Sequence, residues 1–152
     1  MRWRRNWFSN FLPFDKPFVY LGISYPTVEH YYQAMKTLDK KDRKRISLCS
    51  TPGQAKKLGN QVHLRKFWDS HKLVYMETAL KYKFMKGTTW HKKLIESSGD
   101  LIEWNCWHDN YWGNCYCPKC ISIRGQNYLG IILMKLRSQL KRKLRSQLKR
   151  RK

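Results

Sequence analysis

The sequence predicts a mostly α-helical domain of the α+β class, with a few short N-terminal strands and a basic helical extension at the C-terminus. Apolar residues recur at helical spacing in several segments, whereas residues 1–25 are aromatic-rich and interrupted by Pro and Gly. Hydrophobic residues make up 41% of the 152 positions, which is enough for one folded core. We therefore expect a domain over residues 1–136 and a basic tail over residues 137–152.

The first elements are expected to be a hairpin and a helix. Residues 18–21 and 23–25 are aromatic and β-branched runs on either side of Gly22, a pattern typical of two short strands. Thr27 then supplies the residue type that caps a helix N-terminus. In that helix the apolar residues at positions 28, 31, 32, 35 and 38 share one face, and Glu29, Gln33 and Lys36 share another.

Three more helices are expected before residue 98. One begins at Thr51 with a capping box completed by Gln54, the second covers residues 66–84, and the third covers residues 89–97. A buried strand is expected at residues 101–104. Residues 105–126 form a loop too long to be structureless unless it has a function.

The last helix is expected to begin near residue 126 and to run into a repeated segment. LRSQLKRK at residues 136–143 is followed by LRSQLKRR at residues 144–151, and two copies are too few for a solenoid. We interpret the repeat as a duplicated helix extension. Its Leu residues recur every four positions, so nucleic acid, polyphosphate and a membrane surface are all candidate targets for this cationic helix.

The formal net charge of +22 predicts attraction to polyanions such as nucleic acid, phosphorylated metabolites or anionic membranes. The tail contributes nine Lys or Arg, so 23 of the 32 basic residues remain in the body, against ten acidic ones. No apolar run reaches the roughly 18 residues of a membrane-spanning helix, and the N-terminus lacks the apolar block of a secretory signal. We therefore expect no transmembrane segment and a cytoplasmic location.

Glu29 is the first candidate for acid–base chemistry, because few carboxylates are available. It lies among Tyr25, His30, Tyr31 and Tyr32. Burial among aromatic residues raises the pKa of a Glu toward neutrality, which suits a general acid or base. The alternative is that Glu29 only complements the helix N-terminus and pairs with a solvated lysine.

Asp109 is the second candidate carboxylate. Residues 104–114 place three Trp and one Tyr around it, a composition that favours stacking of a flat base beside a carboxylate. Glu29 and Asp109 would then form a two-carboxylate arrangement suited to breaking a glycosidic bond. The alternative is an aromatic satellite core in which Asp109 caps a turn.

The clustered cysteines raise a metal hypothesis. Cys117-Pro118-Lys119-Cys120 is a zinc-knuckle spacing, but the remaining spacing is irregular, so zinc is a secondary hypothesis and no other cofactor is expected. The candidate ligands are Cys106, Cys115, Cys117 and Cys120, with His108 as a replacement for one thiolate.

Four motifs in order resemble the NADAR family, also called YbiA-like. They are FSNF at residues 8–11, YPTVEHYYQAMK at 25–36, DNYWG at 109–113 and GQNYLGIILM at 125–134. The resemblance covers residues 7–137 and implies a compact, mostly helical N-glycosidase. It also implies Glu29 as the principal acid–base residue and Asp109 as the second carboxylate. The substrate-binding residues would be Asn10, Tyr32, Lys36, Trp104, Trp112, Gly113 and Asn127.

The resemblance implies two classes of substrate. One is ADP-ribose attached to guanine in DNA, so that the enzyme would reverse ADP-ribosylation, and the other is a phosphorylated ribosylamino-pyrimidine intermediate of riboflavin biosynthesis. The dispersed positive charge favours the DNA-linked substrate, with the basic tail as a nucleic-acid contact. The alternative function is a non-catalytic nucleic-acid-binding module built on a zinc knuckle, and a weaker one is a tail that binds membrane surfaces.

Overall fold

The computed structural model describes residues 7–150, and the chain forms two compact units. The N-terminal unit comprises residues 7–91, and the described part of the C-terminal unit comprises residues 92–150. Within the described residues there are six helices and four short strands, so the prediction of a mostly helical fold with a few strands is confirmed.

The elements of the N-terminal unit are β1 (Pro13–Tyr20), β2 (Ile23–Thr27), α1 (Val28–Ala34), α2 (Lys40–Ser47), α3 (Pro52–Gly59) and α4 (Trp68–Lys83). Helix α5 (Thr89–Glu96) contains the boundary between the units. The remaining elements are β3 (Trp104–Asn105), β4 (Asn114–Cys115) and α6 (Tyr128–Lys149).

The predicted hairpin is confirmed. Strands β1 and β2 are antiparallel, and Tyr20 pairs with Ile23 across a two-residue connection. Leu21 and Gly22 both have positive φ, as the tightest hairpin turns require. Glycine adopts this conformation without a steric penalty, which explains its position in the turn.

Helix α1 begins where the sequence predicts but is buried on every side. The hydroxyl of Thr27 accepts the His30 backbone N–H at 3.2 Å, which confirms the N-cap. All seven residues from Val28 to Ala34 are buried, because α1 packs against α2, α3 and α4. Leu38, expected on the apolar face, lies beyond the helix and is 64% exposed. The polar face of α1 therefore faces protein and not bulk solvent.

Helix α2 is absent from the sequence prediction. Its segment, KKDRKRIS, has one large apolar residue, Ile46, and therefore gives no apolar stripe at helical spacing. The available signal was Asp39, whose carboxylate accepts the backbone N–H groups of Lys41 and Asp42.

The helices at residues 51–60, 66–84 and 89–97 are confirmed as α3, α4 and α5, and α3 has the predicted capping box. The strand expected at residues 101–104 is wrong at 101–103. Only Trp104–Asn105 is a strand, and it pairs in parallel with β4. The segment before it is held by the Asn127 side chain and by one backbone hydrogen bond, from the Asn114 N–H to the Glu103 carbonyl at 2.6 Å.

Helix α6 buries Leu129, Ile132, Leu133 and Leu136 and continues without a break through most of the repeated segment. In the first repeat, Arg137 donates to the Ser97 hydroxyl at 3.0 Å and to the Gly99 carbonyl at 2.7 Å, and Lys141 donates to the Ser97 carbonyl at 3.2 Å. In the second repeat, residues 144–150 are exposed. Within residues 7–150, no helix combines the length and apolar character needed to cross a bilayer.

Candidate active site

Glu29 is a buried carboxylate at the start of α1. It is 7% exposed, and its Oε1 accepts a hydrogen bond from Gln33 Nε2 at 2.7 Å. Its backbone N–H donates to the Asn10 carbonyl at 3.1 Å, which joins α1 to the FSNF motif. The carboxylate is therefore held in a defined position, as a group that acts on a bound substrate must be.

The amide of Gln33 is held between α1 and α3. A side chain at Gly59 would collide with Gln33, so the glycine lets the end of α3 approach this amide. The Oε1 of Gln33 is buried and has no hydrogen-bond partner among the described residues. This oxygen is packed against the end of α3 and is closed to solvent.

Lys36 provides positive charge in the turn that follows α1, so the predicted helical face of Glu29, Gln33 and Lys36 ends before Lys36. Its Nζ donates to Asn60 Oδ1 at 2.9 Å. Burial lowers the pKa of Lys36, the nearby Glu29 carboxylate raises it, and the Lys56 ammonium lowers it. The Glu29 carboxylate and the Lys56 ammonium thus act on the Lys36 pKa in opposite directions.

Asn10 contributes a second buried acceptor. Its side-chain amide approaches the sulfur of Met76 at 3.5 Å, while its Oδ1 is buried without a hydrogen-bond partner in the described part of the chain. Since the Asn10 carbonyl binds the Glu29 N–H, the FSNF motif is fixed to α1 at this residue. The structure thus links Asn10 and Glu29 directly.

Lys83 is an ionisable group that the sequence analysis missed. It is 1% exposed, its Nζ donates to the Ser9 carbonyl at 2.6 Å, and the Phe84 and Trp90 rings lie 5.3 and 5.1 Å from Nζ. Burial lowers its pKa from 10.5 to about 7. Lys83 lies seven residues after Met76, on the apolar stripe of α4, and this position was the available signal.

Ser9 and Asn10 connect Lys83 to Glu29. The Ser9 carbonyl accepts from Lys83 Nζ, and the next carbonyl, that of Asn10, accepts from the Glu29 N–H. The carbonyl groups of two consecutive residues therefore bind the Lys83 side chain and the first turn of α1, which carries Glu29. The backbone of the FSNF motif thus contacts two buried ionisable residues, or the helix turn that carries them.

The aromatic residues around Glu29 belong to the core. Tyr32 packs on Trp68 with ring centroids 5.3 Å apart, and burial raises the pKa of Tyr25 to about 12. His30 is engaged at both ring nitrogens, by Thr27 Oγ1 at 2.8 Å and by the Cys49 carbonyl at 3.0 Å. Burial also lowers the His30 pKa, so this residue is a neutral structural element at physiological pH.

Asp109, in the C-terminal unit, caps a turn. Its Oδ1 accepts the backbone N–H groups of Tyr111 at 3.1 Å and of Trp112 at 2.8 Å. Asn105 holds the same turn, because its side chain donates to the Asp109 carbonyl and accepts the Asp109 N–H. Asp109 thus caps a turn, as the alternative prediction stated, and uses Oδ1 to do so.

The aromatic residues near Asp109 are partly exposed. Trp112 meets Tyr111 edge-on at 4.9 Å, and both rings are half-buried. Trp104 is 36% exposed and Trp107 is 56% exposed. These indoles are more exposed than Tyr32, which lies in the core.

Gly113 and Asn127 fix the backbone between β3 and α6. A side chain at Gly113 would collide with the Glu103 carbonyl. Asn127 accepts the Glu103 N–H at 3.0 Å and donates to the Leu101 carbonyl at 2.8 Å, which replaces the hydrogen bonds of the expected strand. Asn127 also lines a cleft of about 530 Å³.

The candidate metal ligands that lie together are three cysteines and one histidine, and not the four cysteines that the sequence predicts. Donor atoms of His108, Cys115, Cys117 and Cys120 all lie within 4.8 Å of one another and can hold a metal ion. Cys106 is exposed and lies outside this group. His108 therefore takes the place of Cys106, the replacement that the sequence analysis left open.

The structure thus distributes the predicted site residues over two units. Asn10, Glu29, Tyr32 and Lys36 belong to the N-terminal unit, where hydrogen bonds or charge interactions connect Asn10 and Lys36 to Glu29, while Tyr32 lies in the core. The C-terminal unit contains Trp104, Asp109, Trp112, Gly113 and Asn127. Their assignments as catalytic or binding residues remain predictions.

Comparison with known proteins identifies the family. The model of the NADAR domain family matches residues 2–141. N-glycosidase YbiA of Escherichia coli is 37% identical over 135 residues, which are 88% of this chain and 80% of the relative. Riboflavin biosynthesis protein PYRR of Zea mays is 31% identical over 130 residues, 78% of this chain but only 20% of that protein.

A solved structure agrees with these matches. The NMR structure of E. coli YbiA superimposes with a TM-score of 0.73 at 36% identity, covering 90% of this chain and 79% of that one. The fold class is thereby confirmed, and the name N-glycosidase agrees with the enzyme class that the motifs imply. This chain belongs to the NADAR domain family.

Proposed function

We propose that this chain is an N-glycosidase that cleaves the bond between a phosphorylated ribosyl group and a base, with Glu29 as the acid–base residue. The observation that carries the proposal is the Glu29 carboxylate itself. It is buried, held by Gln33, and attached through its backbone to the FSNF motif. Named N-glycosidase relatives support the reaction class.

With the Glu29 carboxylate beside the anomeric carbon C1′ of the ribosyl group, the proposed reaction is hydrolysis of the C1′–N bond. Water attacks C1′, the C1′–N bond breaks, and the proton lost by water passes to Glu29. The departing base nitrogen takes up a proton from solvent, and Glu29 then releases its proton to solvent, so that the carboxylate is restored. A ribosyl group loses its base through an oxocarbenium-like transition state, whose positive charge a carboxylate stabilises. We assign Asp109 to this electrostatic role as the second carboxylate, through the oxygen that does not cap the turn.

The groups around Glu29 suit a ribosyl phosphate. Lys36 and Lys56 supply positive charge for phosphate, and Asn10, whose carbonyl accepts the Glu29 N–H, is proposed to bind the ribose. Trp104 and Trp112 are proposed to stack on the base, and Gly113 and Asn127 to shape that part of the site. Tyr32 is proposed to support the site from the core.

We propose DNA-linked ADP-ribose as the preferred substrate, in keeping with a role in reversing ADP-ribosylation in the cytoplasm. A small metabolite needs only two or three local cations, whereas the exposed second repeat carries positive charge to the end of α6. The free ribosylamino-pyrimidine phosphate is the second candidate, because one relative is named a riboflavin biosynthesis protein.

A side-by-side assay tests both the reaction and the substrate. The full chain is incubated with ADP-ribosyl-guanine DNA and with ribosylamino-pyrimidine phosphate at equal concentrations, and the released base and ribosyl product are followed by mass spectrometry. Faster release from DNA supports the proposal, and faster release from the metabolite replaces the preferred substrate by the second candidate. Tight, salt-sensitive binding to unmodified single strands with no cleavage of either compound would favour the nucleic-acid-binding module.

A further inference from the structure

The cluster of His108, Cys115, Cys117 and Cys120 is not used by the proposed reaction. All four donor atoms lie within 4.8 Å of one another, and the three cysteines are buried together. His108 Nδ1 lies 3.2 Å from Cys117 Sγ and 3.4 Å from Cys120 Sγ. Three thiols and one imidazole nitrogen thus converge on one point in the C-terminal unit.

These separations match the edges of a tetrahedral zinc site. With Zn–S bonds near 2.3 Å and Zn–N bonds near 2.05 Å, a regular tetrahedron has N–S edges of about 3.6 Å and S–S edges of about 3.8 Å. The two observed N–S separations, 3.2 and 3.4 Å, are slightly shorter than this edge, and every other pair of donor atoms lies within 4.8 Å. The Cys117-Pro118-Lys119-Cys120 turn, closed by a hydrogen bond from the Cys120 N–H to the Cys117 carbonyl, has the form of a zinc knuckle.

The backbone at His108 has an unfavourable conformation that other interactions must stabilise. His108 has a φ of 67°, a left-handed conformation that is unfavourable for a non-glycine residue. Asn105 Oδ1 accepts the N–H groups of both Trp107 and Asp109, and so stabilises the turn that presents the imidazole to the thiols. Strained conformations persist where several interactions fix them.

The segment that supplies the thiols has little apolar packing of its own. Residues 116–126 contain no helix or strand, and Tyr116, Ile121 and Ile123 are each more than half exposed. A loop of this kind cannot be ordered by hydrophobic burial, whereas one metal ion that joins four side chains can order it. Metal binding would therefore supply the cross-link that the absent apolar core does not.

We propose that His108, Cys115, Cys117 and Cys120 bind one structural Zn²⁺ that fixes the Asp109 turn. Thiolates and imidazole select zinc among the common divalent ions, and four protein ligands leave no open coordination position for substrate or water. The ion is thus structural. Since His108 precedes Asp109 directly, the metal holds the residue next to the proposed second carboxylate.

Metal analysis of the full chain, purified without chelators, tests the site. We expect about one zinc per chain in the wild type and several-fold less in Cys117→Ser and His108→Asn. Cys106→Ser and Cys49→Ser are matched controls, because neither sulfur belongs to the cluster, and both should retain the metal. Addition of EDTA should lower the melting temperature of the wild type and of both control variants.

Cobalt substitution keeps the test independent of how well the variants fold. Reduced wild-type protein with Co²⁺ should show the visible absorption of a tetrahedral thiolate-bound ion, and Zn²⁺ should displace it. Wild-type protein without zinc and without this absorption after cobalt addition would overturn the proposal, as would iron in place of zinc. Zinc loss in Cys106→Ser with full retention in His108→Asn would overturn the ligand set.

Discussion

At the residue scale, Lys83 is unusual because it combines almost complete burial with a hydrogen bond to a single backbone carbonyl. No carboxylate accounts for the shift, because desolvation is the cause that lowers its pKa to about 7. The folded chain therefore has a lysine that titrates near neutral pH. Such a group can move a proton in a reaction at pH 7, and its cost to the fold depends on pH.

We predict that Lys83→Met changes stability in a pH-dependent way. Between pH 7 and 10.5 the unfolded chain keeps the Lys83 proton and the folded chain does not, so the wild type gains stability as pH rises, by up to about 1.4 kcal/mol per pH unit. The advantage of Lys83→Met over the wild type should be largest below pH 7 and shrink toward pH 10. Urea unfolding at several pH values measures it.

Lys81→Met is the matched control, because Lys81 lies on the same helix with its side chain 55% exposed and paired with Glu77 at 2.9 Å. Its stability difference from the wild type should change little over the same pH range. A Lys83→Met difference that is equally independent of pH would contradict the burial argument.

The sequence was informative at this scale where residue type alone indicated chemistry. Glu29 was predicted from the scarcity of carboxylates, and the cysteine cluster from spacing. Lys83 was missed because a lysine on a helix is normally at the surface, and its position on the apolar stripe of α4 was weaker evidence than its residue type. His108 replaced Cys106 because a left-handed turn directs the imidazole to the thiols, and a turn of this kind in a non-glycine residue leaves no clear sequence signal.

At the element scale, helix starts were more predictable than helix environments. Thr27 and Thr51 predicted the starts of α1 and α3, because N-cap hydrogen bonds depend only on residues nearby in the sequence. The burial of both faces of α1 could not be predicted, because it depends on α2, a helix without an apolar stripe. The functional consequence is that Glu29 and Gln33 face protein and not bulk solvent.

Helix α6 allows a prediction that compares its two repeats. Arg137 and Arg145 occupy the same position of the repeat, but only the first binds Ser97 and Gly99. Arg137→Ala should therefore cost about 1 kcal/mol, or roughly 2–4 °C in melting temperature, because two charge-assisted hydrogen bonds are lost at a partly exposed site. Arg145→Ala should stay within about 0.5 kcal/mol of the wild type.

Thermal unfolding of the two variants measures this difference. Equal melting temperatures would show that the first repeat is no better anchored than the second. A greater loss in Arg145→Ala would require contacts of the second repeat that its exposure does not indicate.

At the scale of the whole molecule, the excess of positive charge is the property that the proposed reaction does not require. The second repeat and the residues after it carry five Lys or Arg from position 144 onward, beyond the anchored Arg137 and Lys141. Cleaving a glycosidic bond needs a local site, whereas binding along a nucleic-acid backbone uses dispersed charge. We therefore propose that the tail influences the choice of substrate and not the chemistry.

We predict that a chain ending at Lys143 acts less well on ADP-ribosyl-DNA as salt increases, but cleaves a small ribosyl phosphate as the full chain does. Each phosphate contact that is lost should reduce the slope of log binding constant against log salt by about 0.7 for single strands and 0.9 for duplex. Titrations between low and physiological salt measure the slope. Equal slopes and rates for the two chains would show that residues 144–152 do not contact DNA.

The central claim is that Glu29 performs the acid–base step of an N-glycosidase, and Glu29→Gln tests it most directly. The amide keeps the size of the side chain and can still accept from Gln33, so the fold should persist while the rate falls by about 10²–10⁴-fold. Glu77→Gln, on the partly exposed surface of the same unit, is the control and should retain the wild-type rate. Base release by folded Glu29→Gln at the wild-type rate, on every ribosyl substrate that the wild type cleaves, would contradict the account.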